Sequence, residues 1–228
     1  MRIWDIHPGY LNRQSLLGEH RELHGLVSIL ANGKKGYSHH PETLRWVGFG
    51  WALKHRHREL VCEMNIRGYI DRTPVRTRSN KGVFPSVYID EPHVQFELLR
   101  EKYKSKEKGR IPLPNNEQEL WSHHKYSVLA RDQGTYKEIG RRVSSHEVSF
   151  ERLANELIKI LRMQPGEGGI RNSLQHMWGY VPEVGNKNGD IESWSLKKLL
   201  TKIQENANEI NEPYLNKSTA LSELMVWL

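Results

Sequence analysis

The run Asn12-Arg13-Gln14-Ser15-Leu16-Leu17-Gly18-Glu19-His20-Arg21-Glu22-Leu23-His24-Gly25-Leu26-Val27-Ser28-Ile29-Leu30 has the periodicity of an amphipathic helix. Leu16, Leu17, Leu23, Leu26, Val27 and Leu30 fall on one stripe, and Asn12 is suited to cap the first turn. The opposite side carries Gln14, Gly18, Arg21 and Gly25, with Glu22 on its flank. Two glycines on an outer face weaken a helix by about 1 kcal/mol each relative to alanine. Either another backbone approaches that face closely, or a long, well-packed helix tolerates the cost. Asn32-Gly33-Lys34 supplies the stop, because Gly or Asn readily takes the left-handed conformation after a last turn.

Upstream of this helix the chain reads Met1-Arg2-Ile3-Trp4-Asp5. An α-amino group is a good nucleophile near neutrality, since its reference pKa of about 7.7–8.0 lies well below that of lysine. Arg2 is bulky, so Met1 is expected to be retained. If the first helix places Glu22 beside that amine, the parts for amine-based covalent catalysis are assembled. The plainer alternative is a frayed terminus beside a solvated Arg21-Glu22 face.

Downstream, a loop through Gly36-Tyr37-Ser38-His39-His40-Pro41 leads to a second helical stretch over about 50–67. There Leu53, His57, Leu60, Val61 and Met64 are expected to face inward, with Lys54, His55, Arg58 and Arg67 as a basic outer edge. The segment from Arg72 to Gly82 holds Arg72, Arg76, Arg78 and Lys81 and no acid. Such a segment either grips phosphates or is a mobile surface loop. A charged and then Pro/Asn-rich stretch over 104–116 marks a boundary. Beyond it, helical patterns cover 117–131, 133–144, 147–163, 169–181 and 192–211. The fold class is therefore all-α, with one helical domain over 1–115 and a second small one over 116–228.

Composition narrows the partners. At 228 residues, 37% hydrophobic with seven Trp and nine Tyr, the chain can bury a real core. With no apolar run near 18 residues and no signal peptide pattern, a cytoplasmic, nucleoid-associated protein with no membrane partner is expected. Residues 1–115 hold 20 Lys and Arg against 12 Asp and Glu, whereas 116–228 hold 14 against 15. A basic excess confined to one half suits a phosphate-binding domain, although basic patches also serve solubility. The single cysteine, Cys62, excludes an internal disulfide and a Cys-based zinc site, and it sits in the apolar phase of a helix. His39-His40, His55-x-His57 and His123-His124 lack carboxylate or cysteine partners at helical spacing, so no metal is expected.

Several strings occur together in one order: Met1-Arg2-Ile3, Gln14, Glu19-His20-Arg21-Glu22-Leu23, Ala31-Asn32-Gly33-Lys34 and Arg58 through Tyr69. In that order they resemble the pyrimidine-dimer DNA glycosylases of the phage UV-endonuclease type. The likeness covers roughly 1–100 and is strongest over 1–34 and 53–70. Two further strings are His124-Lys125-Tyr126 through Arg141 and Leu174-Gln175-His176-Met177-Trp178-Gly179-Tyr180. They resemble a small helical domain of unknown function found behind thiouracil-desulfurase-type domains. His124, Lys125, Gln175 and His176 either line a site or are polar residues of helix packing.

The first resemblance implies a glycosylase-like domain over 1–115 that repairs double-stranded DNA containing damaged pyrimidines. By likeness Met1 supplies the nucleophilic amine and Glu22 is the essential carboxylate. Arg2, Gln14, Arg21 and Lys34 are then expected to contact DNA, and the basic segment, on its charge alone, offers Arg72, Arg76, Arg78 and Lys81 as further phosphate contacts. An imine intermediate would give base excision followed by abasic-site lyase cleavage, without cofactor. The chain departs from the family in having Gly25 where an arginine is expected and in lacking an aromatic-rich tail, which bears on lesion specificity. Other readings are a non-catalytic damage-recognition module, or an enzyme of modified (thiolated) pyrimidines suggested by the company of the second domain.

Overall fold

The computed structural model describes residues 1–181 and 191–228, and among them the regular structure is helical, with no β-strand. The expected all-α class is the one observed. The chain divides into two units, Met1–Gly109 and Arg110–Leu228.

In the first unit, α1 spans Arg13–Asn32. The Asn12 side chain accepts from the Ser15 amide at 2.9 Å, satisfying one of the amides that a first turn leaves unpaired. At the other end Gly33 has φ +58° and its amide returns to the Ile29 carbonyl. Leu16, Leu23 and Leu26 are fully buried, whereas Leu17, Val27 and Leu30 are half-buried. The buried stripe is narrower than the sequence pattern suggests, and a polar residue, Glu19, completes it.

Helix α1 packs on α3, Gly50–Ile66, after a short α2, Pro41–Arg45. A fourth helix, α4, covers Pro92–Lys102. The sequence pattern does not reveal it, because its buried side chains (Pro92, Gln95, Phe96 and Leu99) make too short an apolar series. The N-terminal segment is extended and buries Ile3 and Ile6. After the 3-10 turn Pro8–Tyr10, the Tyr10 ring meets Phe96 edge-on at 4.9 Å.

Two residues expected on the basic outer edge of α3 turn inward. His55 is buried, stacks on Trp51 at 5.2 Å and pairs with Glu59 at 3.4 Å. Arg67 donates to Glu63 at 2.8 Å and to the Leu11 carbonyl at 2.7 Å. Each has a carboxylate four residues away on its own helix, a spacing that brings side chains together. Lys54 is half-buried and Arg58 exposed, while Val61 and Cys62, expected inside, are half-buried.

One buried ion pair of this unit joins Glu19 and Arg56. The Arg56 guanidinium holds Glu19 through Nε at 2.8 Å and Nη2 at 3.1 Å, and reaches Glu59 through Nη1 at 2.9 Å. Burial raises the Glu19 carboxyl above the usual carboxylate range, against the pull of Arg56. At Glu59 burial acts in the same sense, but the His55 hydrogen bond and the Arg56 charge win and bring it down to about 2.

The second unit is built around α5, Glu117–Leu129, which packs against α6 (Gln133–Ser144), α7 (Phe150–Leu161) and α8 (Glu167–Trp178). Helix α9, Leu196–Glu209, lies on α8, and two short helices follow, α10 (Pro213–Asn216) and α11 (Ala220–Glu223). Asn116, Asp132, Ser149 and Ser195 cap α5, α6, α7 and α9; the starts of α5 and α6 are those expected from the sequence, whereas α7 and α9 begin three and four residues later than the expected 147 and 192. Arg131 is buried, pairing with Glu223 at 2.7 Å and donating to the Ser127 and Leu161 carbonyls. His124 is buried with Nδ1 3.4 Å from the Thr219 hydroxyl, and Lys125 bonds the Tyr214 hydroxyl at 2.7 Å.

Replacing Glu19 with Ala strips Arg56 of its main partner, and breaking a buried pair costs about 3–5 kcal/mol. The expected result is a lower urea midpoint with an unchanged slope. A second consequence concerns acid. Because the Glu59 carboxyl is depressed from 4.5 to about 2, its contribution is present above the higher value and lost as pH falls toward the lower. Glu59→Gln should flatten the stability profile across that window, and an unchanged acid limb there would disprove the assignment.

Candidate active site

The N-terminal segment is fixed by side chains that come from far along the chain. The Arg2 amide donates to Glu22 Oε2 at 2.5 Å, and the Trp4 amide donates to Glu19 Oε1 at 3.2 Å. The Asp5 amide donates to Gln95 Oε1 at 2.8 Å, and the Asp5 carboxylate accepts from Arg45 at 2.6 Å and from Gln95 at 3.0 Å. Arg45 also pairs with Glu42 at 3.3 Å, and Glu42 accepts from the Trp46 indole at 2.8 Å. Glu22 thus lies against the dipeptide that carries the Met1 amine, which is three covalent bonds from the Arg2 amide nitrogen.

Arg2 pairs with Asp90 at 2.5 Å, lies over the Trp4 ring at 4.2 Å and stays 25% exposed. Arg21 is exposed, with Nε directed to the Leu17 carbonyl of its own helix at 3.3 Å. Gln14, Lys34, Arg72 and Arg76 are exposed. A Cβ placed on Gly18 or Gly25 meets nothing within 4 Å, so the N-terminal segment does not account for the glycines of that face.

Arg78 and Lys81 join a cleft of about 320 Å³ with Trp51, Lys54, His55, Arg58 and Thr77. Its construction explains the basic segment. The Ser79 hydroxyl accepts from the Gly50 amide at 2.9 Å, the Ser79 carbonyl accepts from the Trp51 amide at 2.9 Å, and Thr77 donates to the Gly50 carbonyl at 2.6 Å. The loop therefore satisfies amides that the first turn of α3 leaves open. It can approach this closely because residue 50 is glycine: a Cβ there would lie 2.7 Å from Ser79 Oγ and 3.0 Å from Thr77 Cβ.

The sequence reading missed Glu19, Arg56, Asp90 and Gln95 as the positioning set, since their partners are remote in sequence. It also missed a histidine group. His20, His24, His57 and Asp71 bring one ligand-type atom each within 4.8 Å of one another. Burial pushes His57 down to about 4 against the opposing Asp71 charge, and lowers His20 as well. At Asp71 burial works upward, but the Thr73 hydrogen bonds and the two histidines lower it overall. The spacing His20-x3-His24 was visible in the sequence, but His57 and Asp71 join it only through the fold.

Gly50→Ala tests the seating of the basic loop. Overfilling a close contact typically costs about 1–3 kcal/mol. We expect reduced stability together with weaker duplex DNA binding, read by fluorescence anisotropy. A variant that binds DNA like the parent would separate the loop from binding.

No curated protein and no solved structure matches the chain. Residues 125–224 match a family model described as a protein of unknown function (DUF1722). Residues 1–77, which hold Glu22, the N-terminal segment and the first part of the basic loop, match the family model described as pyrimidine dimer DNA glycosylase.

Proposed function

We propose that the unit Met1–Gly109 is a DNA glycosylase with abasic-site lyase activity on damaged pyrimidines in double-stranded DNA. The observation that supports this reading is the hydrogen bond from the Arg2 amide to Glu22, which holds a carboxylate against the residue that follows Met1. The amine lone pair forms a bond to C1′ of the damaged nucleotide as the C1′–N glycosidic bond breaks, its electron pair leaving with the base. Glu22 stabilises the cationic sugar and takes part in proton transfer. The sugar ring then opens to a protonated imine. Loss of a C2′ proton drives elimination of the 3′ phosphate and breaks the strand.

Binding rests on Arg2, Gln14, Arg21, Lys34, Arg72, Arg76, Arg78 and Lys81, with the cleft between the basic loop and α3 as the most enclosed part. A base leaving the stack needs an apolar face and nearby phosphate partners, and Trp51 with Lys54, Arg58 and Arg78 supplies that combination. Four cations of the second unit have partners within it. Arg131 is held by Glu223, Arg141 by Glu147, Arg142 by Glu156 and Lys125 by Tyr214. The basic excess of the first 115 residues is thus the electrostatic footprint for DNA.

Borohydride trapping on UV-irradiated duplex decides the chemistry, alongside mass spectrometry of the mature N-terminus. The protein with a free Met1 amine should become covalently linked, and an acetylated or extended N-terminus should abolish linkage and cleavage while leaving most DNA binding. Trapping by the blocked protein would move the nucleophile elsewhere, and binding without any trapping would leave a recognition module. Glu22→Gln should lower turnover by about 10²–10³, and ordinary turnover would make Glu22 a surface residue. Gly25→Ala should stabilise the helix by about 1 kcal/mol and yet weaken binding, if DNA lies along that face. Unchanged affinity would place the duplex off the glycine side.

A further inference from the structure

Three imidazoles and a carboxylate converge in the first unit, on the side of α1 given no role in the proposed chemistry. His20 and His24 are four residues apart on α1, so both rings project from one face. His57 comes from α3, and Asp71 from the segment that leads into the basic loop. The ring centroids form a near-regular triangle with sides of 4.7, 4.9 and 5.1 Å.

The ligand-type atoms are closer still. His20 Nε2 is 3.3 Å from His24 Nε2 and 3.2 Å from Asp71 Oδ1, and His57 Nε2 is 3.6 Å from Asp71 Oδ2. A tetrahedral zinc ion with bonds of about 2.0–2.1 Å has ligand–ligand edges of about 3.3 Å. These three separations lie around that edge length, and all four ligand-type atoms lie within 4.8 Å of one another before any ion draws them inward.

Hydrogen bonding leaves part of this group unsatisfied. A neutral imidazole offers one donor and one acceptor, so the facing Nε2 atoms of His20 and His24 are matched only if one of them gives up its N–H. Protonating all three rings would instead crowd three positive charges around one carboxylate. Asp71 Oδ1 already accepts from the Thr73 hydroxyl at 2.7 Å and from the Thr73 amide at 3.0 Å. His57 Nε2 is buried without a hydrogen-bond partner, on a side chain only 6% exposed and aimed at the group. A divalent cation resolves each of these: it accepts three imidazole lone pairs and meets the carboxylate with opposite charge.

We propose that His20, His24, His57 and Asp71 form a four-ligand site for a divalent transition-metal ion of the zinc class. Imidazole suits zinc and its neighbours, and four protein ligands leave no open position for substrate, as in structural zinc sites. Thr73 is the outer-shell residue that orients Asp71, its hydroxyl also lying 3.0 Å from His24 Nε2. The ion ties α1, α3 and the segment before Arg72 together, so it fixes the root of the basic loop. This site stands independently of the glycosylase reading, because its tests do not involve DNA.

The experiment uses the full chain, stripped with a chelator and titrated with Zn²⁺ against a chromophoric competitor. We expect one equivalent bound per chain, with affinity on the order of nanomolar as structural zinc sites show. A rise in thermal midpoint should accompany it. Co²⁺ should give the intense visible bands of a four-coordinate centre. His24→Ala and Asp71→Asn should each weaken Zn²⁺ binding by about 100-fold or more, whereas the paired control His39→Ala/His40→Ala should leave it unchanged. His24 is half-buried and its loss spares the core, so that variant remains a readable test. Affinity of the parent weaker than micromolar, or tight binding that survives both ligand variants, would overturn the proposal, as would binding lost in the His39/His40 control.

Discussion

The first unit depends on the two-point contact between Arg56 of α3 and Glu19 of α1. A guanidinium fork on a carboxylate fixes relative orientation as well as distance, so it sets how α1 faces α3. The same carboxylate accepts the Trp4 amide, and Glu22, one turn later, accepts the Arg2 amide. In an extended chain alternate amides point to the same side, and on a helix residues three apart are neighbours. Residue numbers rise along the segment as they fall along α1, so the N-terminal segment runs antiparallel to the helix. Buried ion pairs are poor sources of net stability but good sources of specificity when each oxygen is matched. Here the specificity is the position of the first two residues.

Much of this was legible, and the exceptions share one cause. The Asn12 cap, the body of α1 and the bodies of α5 to α9 follow from local signals: caps, glycine stops and apolar period, whereas the short α10 and α11 carry none and were not expected. Glu22 on the flank of the polar face was legible for the same reason. Glu19 was not, because a glutamate three residues from another glutamate reads as solvated surface until Arg56 appears 37 residues later. Asp90 and Gln95 meet Arg2 and Asp5 across 88 and 90 residues. The basic loop was visible as charge, whereas its seat on the first turn of α3 depends on Gly50 meeting Ser79. His55 and Arg67 were placed outside because their positive character outweighed neighbouring acids that only a helix brings alongside. The histidine group shows the same limit, since half its ligands come from outside α1.

The two glutamates of α1 illustrate how environment divides roles between like groups. Glu19 is raised by burial, and a perturbed carboxyl in a core is an attractive candidate for acid–base work. Geometry argues against it. One oxygen is taken by Arg56 Nε and the Trp4 amide and the other by Arg56 Nη2, so a catalytic proton transfer would have to break the contact that orients the unit. Glu22 is exposed, and its Oε2 is committed to a backbone amide next to the terminal residue. It retains an oxygen and access to solvent, as the role proposed for it requires. Glu19 therefore holds the scaffold, while Glu22 keeps an exposed carboxylate at the same end of the extended segment.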